Sequence, residues 1–211
     1  MNTTSPKLTA LPLFPLQTVL FPGGSLPLRI FEVRYLDMIG KCHKAGAPFG
    51  VVSLTQGSEV RQPAGKEAFA TVGTLATIHD FDTPRPGLMV IRASGAQRFR
   101  ITASDQLRHG LWVADVQRID VDMAVPIPDD LQHTSVALAK LIESLRQRAV
   151  APDQMPVQEP LQLQDSGWVA NRWCELLPLP MQLKQRLMEL DNPLVRLELV
   201  SDVLARTGIS G

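Results

Sequence analysis

The residues of this 211-residue chain best suited to catalysis or metal binding are four histidines, two cysteines and two close carboxylate pairs. His43, His79, His109 and His133 are scattered, with no i, i+4 pair to grip one ion from a helix face. Cys42 and His43 are adjacent, so on a helix they diverge by about 100° and do not chelate together. Cys174 stands alone beside Trp173. Both cysteines read as buried structural thiols, and no metal site is expected. Asp80 and Asp82 share a strand face, as do Asp120 and Asp122, a spacing that suits acid–base work or a cation. Each pair nevertheless sits at a loop end, where solvated carboxylates are the ordinary outcome.

Nucleotide and acyl chemistry fare no better. Gly65-Lys66-Glu67 carries an acid where a phosphate-binding loop needs a hydroxyl, and no glycine stands five positions before Gly65. Ser25 follows two glycines but lacks the strand-to-helix setting of an exposed nucleophile. Arg92, Arg98, Arg100 and Arg108 gather on or near one expected hairpin, a candidate patch for an anion or a nucleic acid. Phe99 alone is interleaved with them and alternates inward, so no platform for stacking bases is present. A hydrated, ion-paired strand face is the plainer reading. No cofactor and no catalytic residue is expected.

The composition is that of a folded chain, 45% apolar and 20% charged. Lys plus Arg and Asp plus Glu are 21 each, so no global basic field gathers nucleic acid. Two cysteines build no disulfide framework, which favours a reducing compartment. The apolar stretch Leu11–Leu28 is broken by Pro12, Pro15, Pro22 and Pro27, so it reads neither as a membrane span nor as a signal peptide. A cytoplasmic protein is the expectation.

The pattern changes near residue 123, giving an expected β domain over 1–123 and a helical domain over 124–211. Leu11–Leu16 and Leu26–Ile30 read as extended, and their prolines suit edge or irregular strands. Tyr35, Met38, Ile39 and Cys42 mark a helical face within Phe31–Lys44, closed by Gly46. Phe49–Leu54 is a buried-type strand, and residues 55–67 a surface loop. Ala68–Phe81 is a long strand with a kink at Gly73. Gly87–Ala93 and Gln97–Ala103 read as a hairpin turning at Ser94-Gly95-Ala96. Leu111–Val121 changes phase, suggesting a bulge. The second part reads as helices over Asp130–Ala149, from Asp165-Ser166 through Leu176, Met181–Leu190 and Leu194–Arg206. The last of these is apolar around most of its circumference, so it is expected at the bundle's centre.

Several of these segments resemble one family. Leu11-Pro12-Leu13, the Leu20-Phe21-Pro22-Gly23 turn, Leu26-Pro27-Leu28 and the Phe31-Glu32-x-Arg34-Tyr35 helix start resemble the amino-terminal domain of Lon, the ATP-dependent protease. Val72-Gly73-Thr74, the segment Gly95–Arg100 and the closing helices follow in the same order, so the resemblance spans about residues 10–206. It implies an α+β fold: a PUA-like β pseudo-barrel with one helix, followed by an α-helical bundle subdomain. It also implies binding of unfolded or peptide segments of other proteins, without the ATPase and peptidase parts, as an adaptor for a protease or chaperone. Glu32, Arg34 and Tyr35 become the expected polypeptide-binding residues, against the alternative that Tyr35 is core and Arg34 an internal ion-pair partner. A peptide is expected to add to the Pro-containing edge strand or to lie between barrel and bundle. PUA-like barrels elsewhere bind RNA, which makes the arginine set the competing site; the neutral charge and 5% aromatic content argue against it.

Overall fold

A computed structural model describes residues 7–59, 67–148, 150–151 and 154–208. The polar loop expected over 55–67 and the proline-rich connection after residue 149 fall partly outside these residues. The chain divides into two compact units, Met1–Val121 and Asp122–Gly211. The first is a seven-stranded sheet with one α-helix, and the second carries four α-helices among the described residues.

The strands of the first unit are β1 (Lys7–Leu16), β2 (Ser25–Ile30), β3 (Phe49–Gln56), β4 (Ala68–Phe69), β5 (Val72–Arg85), β6 (Leu88–Gln106) and β7 (Trp112–Arg118). Pairing runs β1–β7–β6–β5–β3 and returns from β3 to β1, so five strands close on themselves. β2 branches off β6 and β4 off β3, which makes the circuit a pseudo-barrel rather than a clean barrel. Closure matters because an unpaired edge is an aggregation template.

The interior is filled by Leu11 and Leu13 of β1, Val52 of β3, Leu75 of β5, Phe99 of β6, and Ala114 and Val116 of β7. A second cluster covers the opposite face and receives helix α1 (Val33–Ala45) through Tyr35, Met38, Ile39 and Cys42. β3 is therefore covered on both faces, which is why Phe49–Leu54 is continuously buried. Gly46 ends α1 at φ 59°, as a left-handed stop requires.

The prolines of β1 meet the irregular rather than the edge alternative expected of them, since the strand's register shifts between Leu8 and Leu11. β7 pairs with Lys7–Leu13 and β3 with Leu13–Leu16, so β1 has neighbours on both flanks. Each proline nonetheless meets only one partner, Pro12 facing Val113 and Pro15 facing Val52. The missing N–H can thus point to the side without a ladder. β2 does lie at an edge, with β6 its one partner among the described residues.

The expected hairpin at residues 94–96 does not form. β6 runs unbroken for 19 residues, and the turn to β5 lies at Pro86-Gly87. Gly95 serves another purpose: the Phe21–Gly24 turn presses onto it. Gly95 N–H donates to Gly24 O at 2.9 Å, and Gly23 N–H donates to Gly95 O at 2.8 Å. A Cβ at residue 95 would collide with the Phe21 carbonyl oxygen. β7 ends at Arg118, and Val121 is exposed, so the phase change there marks the strand's end. The expected Ala68–Phe81 strand divides into β4 and β5.

In the second unit a 3-10 turn (Asp129–Leu131) leads into α2 (Gln132–Gln147), followed by α3 (Ser166–Leu176), α4 (Met181–Glu189) and α5 (Pro193–Thr207). Asp165 caps α3 by accepting from Trp168 N–H, and Asn192 caps α5, where Pro193 occupies the first turn. α5 packs on α3 through Leu197, Val200 and Leu204, yet Val195 and Leu199 are exposed. Its apolar residues therefore do not all reach the core, and its expected central placement holds for one face only. The buried Arg196 links these elements, donating to Leu187 O, Leu190 O, Asn171 Oδ1 and Asp122 Oδ2.

Candidate functional site

Three elements of the first unit meet at the start of α1. β1 contributes Phe14 and Leu16, β2 contributes Leu28, Arg29 and Ile30, and the entry to α1 contributes Phe31, Glu32 and Tyr35. With Glu59 they line a cavity of about 70 Å³. Its walls are mainly apolar, and two carboxylates stand among them. Beside it the surface stays apolar, because Phe31 is 59% and Val33 80% exposed. Large apolar side chains left in water two residues apart are the kind of surface that marks an interaction site.

The residues expected to bind polypeptide differ sharply in access. Glu32 is half-buried at the N-cap of α1, whereas Arg34 and Tyr35 are interior. Arg34 donates through Nη1 to Gly110 O at 2.8 Å, through Nη2 to Glu67 Oε1 at 3.2 Å, and through Nε to Glu32 Oε2 at 3.2 Å. Its guanidinium lies 4.5 Å from the centroid of the Tyr35 ring, which stacks on Phe14 at 4.0 Å. Arg34 is thus a brace behind the site. It fixes the helix start, the end of the polar loop at Glu67 and the β6–β7 turn at Gly110. Tyr35 is 2% exposed, and its hydroxyl has no hydrogen-bond partner among the described residues.

Burial dominates the environment of the Tyr35 hydroxyl. Burial is the main cause that pushes its phenol well above the ordinary tyrosine range. Arg34 opposes this, and the carboxylates of Glu67, Glu32 and Glu59 reinforce it. The ring therefore presents a neutral hydroxyl.

The sequence matches the family model of the ATP-dependent protease La (LON) substrate-binding domain over residues 10–206. The chain belongs to this family. A crystal structure of a Lon N-terminal domain protein from Xanthomonas campestris is 31% identical, with a TM-score of 0.69. The match covers 92% of this chain and 98% of that one. The N-terminal domain of Mycobacterium avium complex Lon protease has the same fold at 18% identity and a TM-score of 0.56, covering 92% and 96%. A search of curated proteins found no match. Membership in the LON family makes this a substrate-binding module, in agreement with the fold and family expected from the sequence.

The remaining candidates of the LON-type domain do not come together. Arg98 is 3% exposed, so it is not on the wet face that simple alternation assigned to it; β6 changes partners there, and both Arg98 and Phe99 turn out buried. Arg92 pairs with Asp80 at 3.2 Å, while Arg100 and Arg108 are exposed. The four arginines therefore form no single exposed cluster. Asp80 is engaged by Arg92, and Asp122 by Arg196 at 2.6 Å. His79 Nε2 lies 2.5 Å from Ser94 Oγ, but no carboxylate among the described residues orients the imidazole. Cys42 and Cys174 are both buried free thiols. Among the described residues no group of three or more potential metal ligands occurs, and no helix is long and apolar enough to cross a membrane.

Sequence reading missed Glu59, Glu67, Phe31 and Val33. Glu59 and Glu67 belong to no recognisable motif, and Glu67 lies 33 residues along the chain from Arg34, so only folding brings them to Arg34 and Tyr35. Phe31 and Val33 did carry a signal: they fall outside the Tyr35–Cys42 stripe, so a helix buried on that stripe leaves them in water.

Proposed function

We propose that this chain is a non-catalytic module that binds exposed polypeptide at the surface formed by β2 and the start of α1, serving as an adaptor for a protease or chaperone in the cytoplasm. The observation that carries the reading is the pair of exposed side chains Phe31 and Val33 beside the apolar cavity. Glu32 stands at the mouth, Tyr35 forms the floor, and Arg34 acts from behind by positioning both. The pairing of Arg92 and the burial of Arg98 favour polypeptide over nucleic acid as the ligand.

Among the described residues β2 supplies main-chain groups at an open edge, but Pro27 limits how far a partner strand extends along it. Side-chain contacts with the cavity and with Phe31 then carry more of the recognition than a long added ladder. The test is titration of a permanently unfolded model protein onto wild type and the Phe31→Ser/Val33→Ser variant. Affinity should fall at least roughly tenfold in the variant, the range for losing apolar anchors from an interface. Equal affinities would remove this surface from consideration. For the adaptor role, degradation of the same unfolded protein by an ATP-dependent protease should accelerate when the chain is added.

A further inference from the structure

The cavity at the start of α1 combines features that a purely apolar site does not need. It is narrow, at about 70 Å³, and its walls are Phe14, Leu16, Leu28, Ile30 and Phe31. Such a slot admits an unbranched alkyl stem more readily than an aromatic ring. On its floor lies Tyr35, almost wholly buried, with a hydroxyl that has no hydrogen-bond partner among the described residues. Two carboxylates, Glu32 and Glu59, line the same cavity.

Among the described residues the carboxylates that line the cavity outnumber the cations. The Arg34 guanidinium is consumed by Glu32 and Glu67. Glu59 accepts the Gln17 N–H through Oε1, and no cation is paired with it among the described residues. Arg29 is the one lining cation among the described residues, and it is exposed. The carboxylates of Glu67, Glu32 and Glu59 each disfavour a phenolate at Tyr35, and Arg34 opposes them.

We propose that this cavity takes a lysine or arginine side chain of an extended polypeptide, its methylene stem against Phe14, Leu28 and Ile30 and its cationic head shared between Glu59, Glu32 and the Tyr35 hydroxyl. Long basic side chains bury an apolar stem while keeping the charge at a polar end, which is the combination this slot offers. The hydroxyl accepts from the cation, since an ammonium or guanidinium has donors only. This inference rests on the polypeptide-binding reading and narrows it from exposed chain in general to exposed chain bearing a basic residue.

The test uses three unstructured peptides, capped at both ends and identical except at one position, which holds Lys, norleucine or Glu. Each is titrated onto the full chain by fluorescence anisotropy at about 150 mM salt, where distant charges are screened and close pairs persist. The Lys peptide should bind several-fold tighter than the norleucine peptide and roughly tenfold or more tighter than the Glu peptide. In Glu59→Gln and in Tyr35→Phe the Lys-to-norleucine ratio should fall toward one. Three equal affinities, a preference for norleucine, or a ratio that neither substitution changes would overturn the inference and leave polypeptide binding standing. Failure of all three peptides to bind would overturn both.

Discussion

The indole N–H of Trp112 donates to Glu67 Oε2 across 2.8 Å, while the other oxygen of that carboxylate takes the Arg34 guanidinium at 3.2 Å. One side chain at the end of the polar loop thus ties the start of α1 to β7. Arg34 also holds Gly110 O and Glu32, so all three directions of its guanidinium are used inside the fold.

This arrangement sets the first prediction. Arg34→Ala strands the buried Glu67 carboxylate and removes the donor to Gly110 O, and breaking a buried pair from one side costs roughly 3–5 kcal/mol. Arg34→Lys should recover only part of this, because a point charge cannot serve the three acceptors as the planar fork does. Urea unfolding followed by tryptophan fluorescence reads both. A loss below about 1 kcal/mol for the alanine variant would show that the network is not structural.

Gly95 and Gly40 make a matched pair for the second prediction. A methyl at residue 95 would drive into the Phe21 carbonyl, and the two hydrogen bonds joining Gly95 to the Phe21–Gly24 turn leave the backbone no room to retreat. Gly95→Ala should therefore destabilise by several kcal/mol, at the upper end of overpacking costs of about 1–3 kcal/mol or beyond. Gly40 lies within α1, and a Cβ there meets only Met89 Cε at 3.7 Å. Gly40→Ala should stabilise by up to about 1 kcal/mol through helix propensity. Thermal melts of the two variants should move in opposite directions from wild type.

The same glycine shows what the chain's local pattern conveys and what it conceals. A Ser-Gly-Ala triplet between two apolar runs has the look of a turn, but Gly95 is needed by a contact 71 to 74 residues away in sequence, with Phe21 and Gly24. Helices were legible because their signals are local: the Tyr35–Cys42 stripe, Gly46, Asp165 and Pro193 all act within a turn or two. The α+β class followed from such signals, and the family from the resemblance of motifs such as Leu26-Pro27-Leu28 and Phe31-Glu32-x-Arg34-Tyr35. The candidate site was legible only at Glu32, Arg34 and Tyr35, through resemblance. Glu59 and Glu67 escaped notice because their partners are long-range, and no spacing rule announces a carboxylate that will meet Arg34 33 positions back.

Cysteine chemistry supplies a third prediction. Burial pushes the Cys174 thiol up to about 12, with Arg196 opposing, and burial also raises Cys42. The thiolate is the reactive form, so neither residue should react readily with a disulfide reagent in the folded protein near neutral pH. Denaturant should release both thiols at once. Rapid labelling of one thiol in the native state would identify a segment that opens locally.

Tyr35 links the site to pH, and it is the only tyrosine in the chain, so its phenolate absorbance reports it alone. Desolvation is the largest cause holding its proton in the folded state, opposed by Arg34 and reinforced by Glu67, Glu32 and Glu59. In the unfolded chain a tyrosine ionises near pH ~10. Below that pH both states keep the proton, and the stabilisation linked to Tyr35 is fully present. Above it the unfolded chain releases the proton while the folded protein retains it, so stability falls with rising pH by up to about 1.4 kcal/mol per pH unit. The phenolate signal should therefore appear together with loss of far-ultraviolet circular dichroism rather than before it. Tyr35→Phe should make the alkaline decline in urea midpoint shallower. A phenolate transition centred near pH ~10 with the fold intact would mean that the hydroxyl already reaches water, and the floor of the proposed cationic slot would be open.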